Sequence, residues 1–375
     1  MFQEKYEKLV HGKEMVESSL HRHLIEHLNA EIVLGTITDI AVAMNWIRST
    51  YLYVRALKNP KHYGIPIGLT SKEVEARLQD MCLRELHALE NHQLVITSDL
   101  AYNVEATENG KLMAKYYIAF DTMKIFMMVK GTENLAEMLE LLSQCHEFDD
   151  VQLRTNEKAC LNLMNNQKEQ EIIRFCLEGK IKTRQMKTNC LIQSVLGCMQ
   201  ISDPSLRQES VKIIRLAQRL LNGLSLYLWP KNFYQALASA LILNKCVHAR
   251  LWENSPFVCR QLPGIGSVLA AQLVSAKKNT FQSILESNPR DLERVLSIFN
   301  INNSYLNIEY SFSARNCFYN KKKLIRFPKK KKNRFMNKRN RRVCSLFFVQ
   351  HRKIEFLLVA YEESVFYNLI FFIIN

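Results

Sequence analysis

Between residues 14 and 260 the apolar side chains recur at intervals of three and four, and the interval falls to two in one place. A chain patterned this way buries its core as packed helices, with room for a single small hairpin. Val16, Leu20, Leu24 and Leu28 stand close to four apart before Gly35 stops the first helix. The second runs from a Thr38-Asp39 cap to Asn59-Pro60. A third follows with Ser71 as cap and Val74, Leu78 and Met81 on one face. LVITSDLAYNVEAT then alternates and turns at Ser98-Asp99, before ENGKLMAKYYIAF returns to the helical period. Helices, a hairpin and another helix predict a winged-helix domain over about residues 15–120.

From 132 to 260 the pattern is helical almost throughout, with breaks at Gly131, Gly179, Asp203-Pro204, Pro230 and Pro256. The fold class expected is mainly α: a winged-helix domain (1–125), a helical bundle (126–255), a helix-hairpin-helix (256–297) and a disordered or irregular basic tail (298–375). The tail differs in kind. It has no Gly, 11 Phe and 11 Asn, the composition of translated AT-rich non-coding sequence or of an unusual terminal exon.

Charge divides at the same point. Residues 1–297 hold 35 Lys+Arg against 32 Asp+Glu, whereas 298–375 hold 16 against 4, so the net +15 belongs mostly to the tail. Inferring DNA binding from the whole-chain charge would rest on that tail alone. The 10 Cys form no C-x-x-C pair and read as reduced thiols in helix cores. The opening residues are charged throughout and no apolar run reaches the ~18 residues of a membrane span, which points to a soluble intracellular chain.

Three motifs carry chemistry. Pro263-Gly264-Ile265-Gly266 runs straight into an apolar helix, with Val268, Leu269 and Leu273 expected inward and Thr280-Phe281 opening the next helix. Gly264 and Gly266 permit positive φ and leave no Cβ before the backbone, so the N–H groups opening the helix could hold a phosphate. The alternative is a corner that only packs helices. His23-Leu24-Ile25-Glu26-His27 fits the inverted zinc-protease signature H-x-x-E-H, a pattern that also arises by chance in charged helices. Arg154, Lys180, Lys182, Arg184 and Lys187, with Arg215 and Arg219 one turn apart on the longest helix, could line a strand-tracking groove, Tyr227 or Trp229 stacking on bases; the alternative is a solvated helix face. The P-loop pattern G-x-x-x-x-G-K-[ST] and the D-E-x-[DH] box are absent, so ATP hydrolysis by Walker chemistry is not expected of this chain.

ESSLHRHLIEHLNAEIVLGTI (17–37), NWIRSTYLYVRALKNPKHYG (45–64) and ATENGKLMAKYYI (106–118) resemble the winged-helix segment behind the motor of Ski-like superfamily-two helicases. EFDDVQLRTNEK (147–158), GKIKTRQMKTNCLIQSVLGC (179–198) and LILNKCVHARLWEN (241–254) resemble the helical ratchet of their Sec-sixty-three-type domain, and LPGIGSVLAAQLVSAKKNTF resembles its closing helix-hairpin-helix. The likeness is strongest to the meiotic crossover helicases and covers about residues 1–297.

The resemblance implies ATP-driven 3′-to-5′ DNA unwinding in the nucleus, with Leu206–Trp229 as ratchet helix. The DNA contacts it implies are Gly264, Ile265, Gly266, Lys277, Lys278, Arg215, Arg219 and Arg184. It also makes Glu26, His27 and Asn29 structural, not metal ligands. Expected partners are single-stranded or branched DNA, the motor domains of the same helicase and recombination proteins, with no membrane. No cofactor is expected in this chain, ATP and magnesium belonging to the full-length family. The motor domains and a following β-sandwich have no counterpart here, and Lys277 stands where hairpin motifs usually carry glycine. Two other readings are a protein-interaction scaffold and a fragment of an RNA-directed helicase.

Overall fold

The computed structural model describes residues 16–98, 103–166, 173–262 and 264–296, with scattered positions before residue 16 and three strands after residue 345. Two units result, Met1–Glu309 and Tyr310–Asn375. In the second, Leu346–His351, Ile354–Val359 and Ile370–Ile374 pair as an antiparallel sheet with the middle segment at its centre. The basic run 321–342 and the sequon Asn302-Asn303-Ser304 lie outside the described residues.

The first unit opens with α1 (Leu24–Leu34), ended by Gly35 at φ 76°, where a left-handed residue closes the helix. Val16 is exposed and Leu20 sits in a separate 3₁₀ turn, so the helix expected from Val16 onward begins eight residues later. The next expected helix is two, α2 (Ile40–Arg48) and α3 (Tyr51–Lys58), because the Thr50 side chain accepts from Tyr53 N and starts a new helix. α4 (Ser71–Asn91) is capped by Thr70, one residue before the cap expected, in a reciprocal box with Glu73. Strands β1 (Val95–Thr97) and β2 (Val104–Ala106) form the antiparallel wing, its tip lying outside the described residues. α5 (Glu108–Tyr116) packs back against α1, where Asn29 Nδ2 donates to the carbonyl of Gly110 at 2.9 Å. Only glycine fits at 110, since a Cβ would stand 2.2 Å from the carbonyl oxygen of Leu94.

α6 (Phe120–Met127) and α7 (Leu135–Ser143) lead into the bundle, which continues with α8 (Lys158–Asn165), α9 (Arg184–Leu196), α10 (Pro204–Leu228) and α11 (Tyr234–Ala249). α9 is the central helix, touching α7, α8, α10 and α11. From Lys187 to Ser194 it is buried and yet polar in sequence, so its polar groups need partners. Gln193 exchanges both side-chain groups with the Phe175 backbone at 2.8 and 2.7 Å, and Ser194 donates to Cys190 O at 2.7 Å. One apolar core runs from Leu24 on α1 to Trp252 beyond α11, so winged helix and bundle share it. Gly223 on α10 makes that junction close: a Cβ there would stand 2.6 Å from Ile118 Cδ1.

The last elements are α12 (Ser267–Ser275), α13 (Phe281–Leu285) and α14 (Pro289–Leu296). Thr280 caps α13, as its sequence predicts. The segment ahead of the glycine turn, Val258–Gln261, is a single 3₁₀ turn where a full helix was expected.

Candidate nucleic-acid interface

α10 starts on Asp203, whose Oδ1 accepts from Ser205 N at 2.7 Å and Leu206 N at 3.0 Å, with Pro204 in the first turn. Its buried stripe runs through Leu206, Ile213, Ala217, Leu220, Leu224 and Tyr227. The 3.6-residue period therefore turns Lys212, Arg215, Arg219 and Asn222 toward solvent.

Around the start of α10 the cations are paired, apart from Arg207, which donates to the Ile201 carbonyl at 3.2 and 2.9 Å. Lys187 from α9 is fully buried, with Nζ at 2.6 Å from both Glu157 and Glu209 and donating to Gln152 O at 2.8 Å. Arg154 sits across the same carboxylates at 3.0 and 3.1 Å, and donates to Ser205 Oγ at 2.6 Å. Lys212 pairs with Asp150 at 3.2 Å, and Arg184 pairs with Asp149. This corrects the expected groove. Lys187 cannot touch a strand, because placing a lysine in a buried interior requires the very carboxylates that hold it there. Tyr227 is likewise buried, packed toward Phe126, and is not available for stacking. Trp229, Lys180 and Lys182 are exposed.

Farther along, the balance changes. Arg215 is exposed with no ion pair among the described residues. Arg219 is half-buried, and its Nε is shielded from solvent without a hydrogen-bond partner. Beside it Asn244 Nδ2, from α11, donates to Asn222 Oδ1 at 2.8 Å. From Ser210 to Trp252 the chain carries six Lys and Arg and not one Asp or Glu. That acid-free run is a signal in the sequence that motif reading passed over.

At the glycine turn, Gly264 has φ 83° and needs glycine, whereas Gly266 has φ −83° and does not. The expectation of positive φ at both is thus right for Gly264 alone. Nothing would meet a Cβ at either position, so the turn faces open space. Gly266 caps α12 without a side chain, which leaves the first-turn N–H groups to solvent or an anion. Ile265 donates its N–H to Leu262 O at 3.2 Å and closes the turn. Leu273 is buried as expected, but Val268 is exposed.

Lys277 and Lys278 lie at the other end of α12, about 13 Å along the axis from the glycines. Lys277 has φ 58°, its N–H donating to Val274 O at 2.9 Å while Lys278 N–H donates to Leu273 O at 2.8 Å. This is the glycine-type close of a helix, made with lysine. Gly264, Ile265 and Gly266 thus form one group, Lys277 and Lys278 a second, and Arg215 and Arg219 a third. Arg184 stands apart, held by Asp149.

The H-x-x-E-H helix has another use. Glu26 Oε1 accepts from Phe120 N at 3.1 Å and so joins α1 to α6, while His23 and His27 face outward. Among the described residues no group of three His, Cys, Asp or Glu could hold a metal ion. The chain also lacks the G-x-x-x-x-G-K-[ST] pattern of a phosphate-binding P-loop. Burial pushes the Cys82, Cys190 and Cys246 thiols up to about 12, which keeps them inert. No helix among the described residues is long and apolar enough to cross a membrane.

A helical bundle sharing its core with a winged helix, with a long helix presenting unpaired arginines, defines a class. Residues 106–341 match the Sec63 Brl domain and residues 17–99 a winged helix-turn-helix domain. The chain belongs to the Sec63 Brl domain family. It is 50 % identical over 295 residues to the probable ATP-dependent DNA helicase HFM1 of Xenopus tropicalis, covering 78 % of this chain and 22 % of that protein. Its identity to human HFM1 is 48 % over 295 residues, or 78 % of this chain and 20 % of the relative. To the ATP-dependent DNA helicase MER3 homolog of Oryza sativa subsp. japonica it is 37 % over 298 residues, or 77 % and 25 %. The chain thus spans between a fifth and a quarter of the length of these relatives.

Proposed function

We propose that this chain is a DNA-binding accessory region of an ATP-dependent 3′-to-5′ DNA helicase acting in meiotic recombination and crossover formation in the nucleus. In this reading it works with the motor domains of the same helicase and with recombination proteins, on single-stranded or branched DNA. The observation that carries the reading is the unpaired Arg215–Arg219 face of α10, in a chain about half identical to relatives named probable ATP-dependent DNA helicases. A phosphate beside Arg219 would give its shielded Nε the acceptor it lacks. Gly264, Ile265 and Gly266 supply a backbone anion site, Lys277 and Lys278 a second contact, and Arg184 an outlying one. All are backbone contacts, so binding is independent of base sequence.

The test is fluorescence anisotropy of a (dT)20 oligonucleotide against the full chain over a salt series. The tail is common to every variant, so differences between variants isolate the folded part. Each lost phosphate contact lowers the slope of log affinity against log salt by about 0.7. Arg215→Glu with Arg219→Glu is expected to lower it by about 1.4. Gly266→Val, which neither strains φ nor meets a neighbour, is expected to weaken binding with the fold intact. Wild-type affinity and slope in both variants would refute the reading.

A further inference from the structure

Building on that reading of α10, we propose that the DNA strand lies in the groove between α10 and α11, with His248 and Arg250 as its second wall. The two helices run antiparallel, and the Asn222–Asn244 bond fixes their register. Counting back from that pair, Arg219 lies one turn before Asn222 and faces His248, one turn beyond Asn244. Arg215, a turn farther, comes level with the end of α11 at Arg250. His248 and Arg250 are exposed and have no ion pair among the described residues. Guanidinium groups therefore stand on both sides, Arg215 and Arg219 on one and Arg250 on the other, with a polar amide floor. No carboxylate arises anywhere between Ser210 and Trp252 to compete with a phosphate.

The backbone at Arg250 is a separate observation. It sits at φ 55° in the helix-closing position, its N–H donating to Val247 O at 3.3 Å and that of Leu251 to Cys246 O at 3.0 Å. Glycine fills this position without the steric cost an L-residue carries there. Tyr117 and Asn232 close their own elements in the same left-handed way, so at Arg250 the backbone ends α11 while the exposed guanidinium stays free for a ligand. A backbone phosphate has the matching charge and geometry.

The experiment uses the full chain and (dT)20. Arg250→Glu is expected to lower the salt slope by about 0.7, and a benzophenone side chain at position 248 to form a photo-adduct with the oligonucleotide. Lys72→Glu and a benzophenone at position 72, both on the exposed start of α4, serve as controls and should give neither effect. Circular dichroism melting confirms that each variant is folded. An unchanged slope in Arg250→Glu with no adduct at 248 overturns the groove. If Arg215→Glu with Arg219→Glu still weakens binding in that case, the single-helix reading of α10 stands; if it does not, both fall together.

Discussion

The N-terminal end of α10 and its middle stand among the same kinds of cation in opposite circumstances. Around its N-terminal end, Arg154, Lys187, Arg184 and Lys212 each have a carboxylate and form a neutral cluster, while Arg207 is held by the Ile201 carbonyl. Around its middle, Arg215 and Arg219 have none among the described residues. Counting lysines and arginines does not distinguish the two. What separates them is whether an acid arrives from a neighbouring element, here from residues 149–157 and from Glu209. The paired set fixes how helices meet, and the unpaired set is left for something outside the fold.

The sharpest way to break this contrast is Lys187→Met. It would leave the buried Glu157 and Glu209 to share Arg154 alone, and should destabilise the protein by about 3–5 kcal/mol in urea unfolding. Arg215→Ala should leave stability unchanged within about 0.5 kcal/mol, because it breaks no internal contact. Equal losses in the two variants would end the distinction. Lys277→Gly tests a cation kept against backbone preference. It should stabilise the chain by about 1 kcal/mol in thermal unfolding while lowering the (dT)20 salt slope. Arg184→Ala should change that slope least, since Asp149 already engages the guanidinium.

The smallest effect concerns a third paired cation, Arg55. Glu17 accepts from Arg55 at 2.6 and 3.1 Å, from Asn59 at 2.8 Å and from Tyr63 at 2.8 Å. These donors, Arg55 foremost, lower the Glu17 carboxyl from 4.5 to about 2. A depressed carboxyl contributes stability that is fully present above its unfolded value and is lost as pH falls through the folded one. The stability gap between wild type and Glu17→Gln should therefore hold at neutral pH and close between about pH 4.5 and 2 in acid unfolding.

Much of this architecture was legible in the chain. The change of period at Val95–Ala106 marked the wing, and Asp203-Pro204 marked the start of the longest helix. Local capping choices were less legible. Thr50 divides one periodic run into two helices, although nothing in the apolar spacing changes there. Thr70 rather than Ser71 caps α4 because the reciprocal bond needs Glu73 three residues on. The site was read only in part, for a different reason. Lys187 looks like any helical lysine until the tertiary fold brings Glu157 and Glu209 around it, and neither pairing is local in sequence. The α11 side of the proposed groove has no local motif to mark it, because its signal is a lack of acid over a long stretch.

The side-chain bond between Asn222 and Asn244 has a consequence of its own. A primary amide offers two donors and an oxygen with two lone pairs, so one mutual bond leaves each partner with capacity to spare. If a strand lies in the proposed groove, purine and pyrimidine edges that reach this floor would alike find something to donate to or accept from. A floor of this kind gives a passing strand almost no reason to pause at one base over another. The energy profile along the groove would be shallow and even, a surface suited to movement more than to residence.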